Sequence, residues 1–343
     1  MTSLTVGLIG ALLLTVTVSG TAAQPATPTG VVAEADLDAA VMWLIAQQLE
    51  DGSFPGFSGE SDPSMTIDAV LALIAAGLRG EDTAGAVASA MDYLTSGDIA
   101  GAYAETGVGQ AAKLILTAVA TGGDPRDVGG VDALELVVEG QNPETGMYGA
   151  SIFEHGLALM ALAATGTEVP ASAIEALEAT QGPEGGWAFD TSTEEGAADS
   201  NTTAMVVQAL VAIGEGESEM AQEAIAFLEE TIESEEGALY QPGAAFPPDA
   251  NSTALVLQAA IAAEQDLESD PWAALQSALA GFQNEDGAFH YSPDDTADNL
   301  FATVQAIPAV AGVAFPIVPA DSEAIPVASP VTLVPHGMIV RAA

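Results

Sequence analysis

A glycine followed two residues later by an aromatic, three in one copy, occurs six times in this chain: Gly52/Phe54, Gly101/Tyr103, Gly146/Tyr148, Gly185/Trp187, Gly237/Tyr240 and Gly287/Phe289. The glycines are 39 to 52 residues apart. Repetition at that period implies a chain built from one supersecondary unit copied six times, each copy burying its apolar face against the next. A second marker keeps the same order at the end of an apolar run: Gly77, Gly122, Gly166, Gly214, then Glu264 in the fifth copy, and Gly312. Each unit therefore has room for one helix before the turn and one after it.

The two helices differ in kind. The one after the turn opens on cap-forming residues and runs into an Ala/Leu/Val stretch: Asp62 into Ile67–Ile74, Asp199-Ser200-Asn201-Thr202-Thr203 into Ala204–Leu210, and Asp249-Ala250-Asn251-Ser252-Thr253 into Ala254–Leu257. Asp, Asn, Ser and Thr accept hydrogen bonds from the unpaired amides of a helix head, and a run apolar on all sides belongs in a core. The helix before the turn is amphipathic, with Leu37, Ala40, Val41, Leu44 and Ile45 on one stripe. Six buried helices ringed by six amphipathic ones predict an all-α fold, an (α/α)6 toroid of six helix-pair repeats over residues 36–313.

The ends read differently. Leu4 to Val18 is an apolar stretch ending in Ser19-Gly20-Thr21-Ala22-Ala23, which predicts a signal peptide over 1–23 and a secreted or extracytoplasmic protein, although Met1-Thr2-Ser3 carries no basic residue. Residues 24–35 form a linker. Residues 314–343, with Pro316, Pro319, Pro326, Pro330 and Pro335, form an extended Pro-rich tail without a stable membrane span.

Charge narrows the partners. Against 49 Asp plus Glu stand 4 Lys plus Arg, a formal net charge of −45, which repels nucleic acid and anionic lipid and suits a solvated acidic surface. There is no cysteine, hence no disulfide, thiolate nucleophile or cysteine metal site.

Several repeats carry more than a glycine and a ring. Gln48-Leu49-Glu50-Asp51-Gly52-Ser53-Phe54, Gln141 to Tyr148, Gln181-Gly182-Pro183-Glu184-Gly185-Gly186-Trp187 and Gln283 to Phe289 resemble the glutamine-to-tryptophan repeat of the squalene-hopene cyclase and protein prenyltransferase superfamily. The resemblance spans all six units and implies that superfamily's α/α toroid, which enzymes and ligand carriers share. Within the repeat the glutamine is expected to bond backbone at the end of the outer helix, the glycine to take positive φ, and the aromatic to pack over the helix end.

For activity, the resemblance implies an Asp-x-Asp-Asp-Thr-Ala motif whose central Asp protonates an isoprenoid double bond at the head of a buried helix. Asp294-Asp295-Thr296-Ala297 matches part of it. Counted back from the helix-end glycine, however, Ala302 stands level with Ile67, Ala204 and Ala254, which leaves Asp294 five residues out of place. The counterparts of the motif are the segments beginning at Asp199 and Asp249, and they hold Asn201 and Asn251 where the acid should be. An amide is no strong acid. Asp294 and Asp295 remain weak catalytic candidates. The zinc-dependent prenyltransferase chemistry needs a cysteine and fails outright. His155, beside Glu154 at a helix start, suits capping or partial burial.

Parallel inner helices gather their N-termini at one rim. Asp62, Asp199, Asn201, Asp249, Asn251, Asp298 and Asn299 are expected there, as caps or as ligands for a cationic group such as Ca²⁺; no other cofactor is expected. The sequence thus points to an exported, non-catalytic toroid that binds a small or isoprenoid-like ligand or a protein partner. The alternatives are an isoprenoid cyclase or prenyltransferase-type enzyme with an atypical acid, and a polysaccharide-processing toroid enzyme, which the shortage of Arg and Lys disfavours.

Overall fold

The computed structural model describes residues 34–233, 236–243 and 246–319. The apolar segment 1–23 and the part of the Pro-rich tail beyond residue 319 lie outside them. The described chain is an all-α toroid. Its inner ring is made of α2 (Pro63–Gly77), α5 (Val108–Ala120), α7 (Ile152–Ala164), α9 (Ser200–Ala212), α11 (Ala250–Ala262) and α13 (Leu300–Val310). Around it stand α1 (Leu37–Ala46), α3 (Ala84–Leu94), α6 (Ala133–Glu139), α8 (Ala171–Thr180), α10 (Glu219–Glu230) and α12 (Trp272–Gly281), with a short extra helix α4 (Ile99–Ala104) in the second unit. Each inner helix packs on the next, and α13 returns to α2, so the ring is closed. Two short hairpins complete the described elements: β1 (Phe54–Pro55) with β2 (Ser61–Asp62), and β3 (His290–Ser292) with β4 (Asp295–Asp298).

The burial follows the sequence pattern. Along α9 every residue from Thr202 to Leu210 is buried, whereas α1 buries only Ala40, Val41 and Leu44. That is the difference between a helix enclosed on all sides and one with a single inward stripe.

The repeat glutamine is the joint between neighbouring units. Gln181 Nε2 donates to the carbonyl of Gly185 in its own turn, at 2.7 Å, and to that of Met220 in the next outer helix, at 3.0 Å. Gln48 bridges Gly52 and Ala86 in the same way, and Gln141 bridges Gly146 and the Ser172 hydroxyl. The expectation placed this side chain on its own helix end; the structure shows that it reaches one unit ahead. The last glutamine has no unit ahead, and Gln283 instead grips Asp36. Its Oε1 accepts from the Asp36 amide at 2.7 Å, and its Nε2 donates to the Asp36 carbonyl at 2.8 Å.

The turn glycine is needed for the same close approach. Gly287 has φ +98°, and a Cβ there would lie 2.2 Å from the carbonyl oxygen of Ala39 in α1. Gly52, Gly146 and Gly185 meet Ser89, Ser172 and Glu223 in the same way.

One marker is displaced from its expected place. Gly101 lies inside α4, so the second copy of the repeat is helix where the others are turn. Gly77 does end α2, and the left-handed residue that follows is Gly80. In the fifth unit Glu264 does take the left-handed position, with φ 52°. The boundary at residue 313 also moves: Ile317 is buried, and the Phe315 amide donates to Gln208 Oε1 at 2.9 Å, so residues 314–319 belong to the toroid.

Gly287→Ala is expected to destabilise the chain by at least about 2 kcal/mol, through positive φ and a backbone clash at the closing joint. Gly281→Ala, in α12 with open space around it, should instead stabilise by up to about 1 kcal/mol. Urea unfolding of the two variants beside the parent chain measures both.

Candidate functional site

Asp62, Asp199 and Asp249 are N-caps of α2, α9 and α11. Each Oδ1 accepts from the amide three residues on: Met65 at 2.7 Å, Thr202 at 2.7 Å and Ser252 at 2.9 Å. Asn299 caps α13 through the Ala302 amide at 3.0 Å, and Ser151 caps α7. The fourth carboxylate expected at the helix heads, Asp298, is instead exposed in β4 and accepts from Asn284 Nδ2 at 2.8 Å. Among the described residues no three His, Cys, Asp or Glu side chains gather closely enough to hold a metal ion. The capping oxygens are spread over five helix heads, with Asn201 and Asn251 second in α9 and α11 and the Asn251 side-chain amide buried without a hydrogen bond.

Burial pushes the Asp199 and Asp249 carboxyls up, while the helix-head bonds from Thr202 and Ser252 pull them part of the way back. Tyr240 stands beside Asp199, and burial together with that carboxylate raises its phenol to about 12.

Lining up the helix heads corrects the register of the sixth unit. Helix α13 is two residues shorter than α9 and α11, so counting back from its C-terminal glycine misplaces its head by two. Asn299 corresponds to Asp199 and Thr303 to Thr203. The Asp294-Asp295-Thr296-Ala297 string is therefore seven residues out, not five. It forms the exposed turn and β4 of the β3–β4 hairpin, which leads into the head of α13.

The fourth residue of the inner helices has a common task. It is Thr66, Thr203, Thr253 and Thr303 in four of them, and each hydroxyl accepts a backbone amide from the preceding repeat turn: Phe54 at 2.9 Å, Trp187 at 2.9 Å, Ala238 at 2.9 Å and Phe289 at 2.8 Å. Three of these hydroxyls also donate to the carbonyl of the helix cap. In α7 that position is His155, which is fully buried rather than partly so. Its Nδ1 accepts from the Tyr148 amide at 2.9 Å, which leaves Nε2 as the protonated nitrogen, donating to the Ala173 carbonyl at 3.0 Å. His155 is thus a neutral imidazole substituting for threonine, and burial holds its pKa below the ordinary value.

Inside the ring lies a cavity of about 170 Å³. It is lined in tiers. The sixth residues of the six inner helices are Asp68, Lys113, Leu157, Met205, Leu255 and Gln305, and all six face it. One turn further on, the ninth residues Leu71, Leu116, Met160, Gln258 and Pro308 line it too, and Gln208, their counterpart in α9, holds the Phe315 amide. Phe153 and Phe301, each second in its helix, stand toward the rim, and Phe315 also contributes to the lining. Positions three and four apart share one face of a helix, so a single inward face of each inner helix builds the wall.

The sixth-residue tier is polar on one side. Asp68, Lys113 and Gln305 come from neighbouring helices, and Leu157, Met205 and Leu255 complete the apolar half. Lys113 Nζ donates to Asp68 Oδ1 at 2.5 Å. Burial works against the Lys113 charge, but Asp68, with Tyr103 and Asp62 adding to it, raises the pKa above the ordinary lysine value. The chain's only lysine is therefore an ammonium paired inside the ring. Sequence reasoning missed this pair; the sole signals were one charged residue interrupting each of two apolar helices.

Among solved structures, a type II terpene cyclase, MstE from Scytonema, matches with a TM-score of 0.59 at 15% identity, covering 80% of this chain and 96% of that one. An unsaturated glucuronyl hydrolase specific for heparin matches equally well, with a TM-score of 0.59 at 13% identity over 80% and 95% of the two chains. A protein from Actinoplanes matches at 0.56 and 16% identity over 80% and 98%. At such identities the likeness is one of fold, an α/α toroid common to terpene cyclases and glycosidases. No family model matches the chain, and no curated protein does.

Two titrations are expected. In the unfolded chain His155 takes a proton near its ordinary pKa of about 6.5, while in the fold burial disfavours the imidazolium. Stability should therefore be complete above that pH and fall as pH drops below it, a loss absent from His155→Thr; unfolding free energies across pH 5–8 test this. At pH 7 Asp249→Asn should be within about 0.5 kcal/mol of the parent, because asparagine caps as well and spares a buried charge, whereas Asp249→Ala should cost about 1 kcal/mol.

Proposed function

We propose that this toroid is a binding protein, taking a small apolar molecule into the central cavity, and that it lacks the acid of the cyclases it resembles. The observation that carries this reading is the state of Asp68, the one carboxyl group that lines the cavity among the described residues. Asp68 accepts from the Lys113 ammonium at 2.5 Å. A proton-initiated cyclisation needs a protonated carboxylic acid beside the substrate, and a carboxylate committed to an ammonium is the opposite state. The counterparts of the cyclase motif support the same reading, with Asn201 and Asn251 at the acid's position and the neighbouring threonines occupied by the repeat turns.

Size supports it as well. The MstE toroid has been solved with geranylgeranyl dihydroxybenzoate as substrate. The cavity here, about 170 Å³, is close to the ~150 Å³ of an engineered apolar cavity that takes up benzene. It suits a single ring rather than a long prenyl chain. Glycoside hydrolysis, the chemistry of other toroid neighbours, uses a pair of carboxyl groups flanking the scissile bond, whereas a single paired aspartate lines this cavity. Export, inferred from Leu4 to Ala23, would place the binding protein outside the cytoplasm.

Native mass spectrometry of the full chain, followed by solvent extraction, is expected to release a small apolar molecule. Incubation with squalene and with prenyl diphosphates is expected to give no cyclised product. Product that forms with the parent chain and disappears in Asp68→Asn would overturn the binding-only reading and make Asp68 the atypical acid.

A further inference from the structure

Gln258 is the ninth residue of α11, 1% exposed, and lines the central cavity. Its two amide atoms have different fates. Nε2 donates to the carbonyl of Gln305 in the neighbouring α13 at 3.1 Å, while Oε1 is buried with no hydrogen-bond partner. The first contact fixes the second. Turning the amide over would bring Oε1 against the Gln305 carbonyl, acceptor facing acceptor, so the unpartnered atom is an acceptor and stays one. A buried acceptor without a donor is costly, and native structures rarely leave one unmatched.

No donor of the wall bonds to it. Leu71, Leu116, Leu157, Met160, Met205 and Leu255 carry no polar hydrogen, and the Gln305 side-chain amide, which also lines the cavity, makes no bond to it. Lys113 is held across the cavity by Asp68. The missing donor must come with whatever fills the space.

We infer that the cavity selects a compact hydrocarbon carrying a hydroxyl group, one ring or its equivalent in size, whose O–H donates to Gln258 Oε1 while its carbon skeleton packs against the leucines and methionines. This deepens the proposed binding function and rests on it. The apolar half of the wall provides affinity for any hydrocarbon of the right size; Gln258 provides discrimination. A site that hydrogen-bonds a ligand rejects the analogue lacking the donor more strongly than a greasy pocket separates ligands by size, because binding the analogue seals the buried acceptor in unpaired.

Phenol, toluene and benzaldehyde test this by isothermal titration of the full chain. They share a ring, but only phenol has an O–H to give. Phenol is expected to bind at least about tenfold more tightly than toluene or benzaldehyde. Gln258→Leu should bring phenol to the level of toluene while leaving toluene binding intact, which also shows that the variant is folded. Leu157→Trp, which fills the cavity, should abolish binding of all three. Equal affinities of the parent chain for phenol and toluene would overturn the inference while leaving the cavity a ligand site. So would a phenol preference that survives in Gln258→Leu, or phenol binding that survives in Leu157→Trp. If toluene and phenol both fail to bind the parent chain, the binding function falls together with the inference.

Discussion

A ring of helix pairs has no end at which to stop, so its integrity rests on the contact between the last unit and the first. Here that contact is the Gln283 amide on the backbone of Asp36, bonded through both its oxygen and its nitrogen across 247 residues of sequence. The same side chain ties its own turn at Gly287. The joint uses the chemistry that links the earlier units, repeated one step further around. Closure therefore comes from a local rule used in four of the six units rather than from a special device, and it removes the exposed apolar ends that an open solenoid must cap.

Once the ring is closed, the inner helices have little freedom. Five of the six heads are held by caps at Asp62, Ser151, Asp199, Asp249 and Asn299, and the fourth residues of the same five helices receive the backbone of the repeat turns. Helices held at the same height present equivalent positions to the centre, which is why the cavity wall is assembled in tiers from the second, sixth and ninth residues. The interior can then be modified without disturbing the frame. Asp68 and Lys113 share a tier on adjacent helices, and each makes the other tolerable in a setting where a lone charge would be prohibitive.

Much of this was legible in advance. The glycine and aromatic spacing implied six helix pairs, the apolar runs distinguished inner from outer helices, and the cap residues marked where the inner helices begin. Other readings failed for identifiable reasons. Gly101 sits in a helix because the second unit replaces its turn with α4. Asp298 lies one residue short of the helix head, where Asn299 caps instead. The displacement of Asp294 was underestimated because α13 is shorter than its siblings, which a count from the helix end could not detect. His155 suited capping or partial burial, and only the alignment of the helix heads shows that it occupies a threonine's place.

The sequence by itself determined the repeat, the all-α class and the absence of a cysteine-based site, because periodicity and composition act locally and need no knowledge of what lies across the ring. The tertiary structure alone decided which residues face the centre. Asp68, Lys113, Gln258 and Gln305 stand on four different helices, up to 237 residues apart in the chain, and no spacing rule within one helix relates them. Their meeting depends on the height at which each helix is clamped and on the closure of the ring, and both of those are properties of the assembled fold.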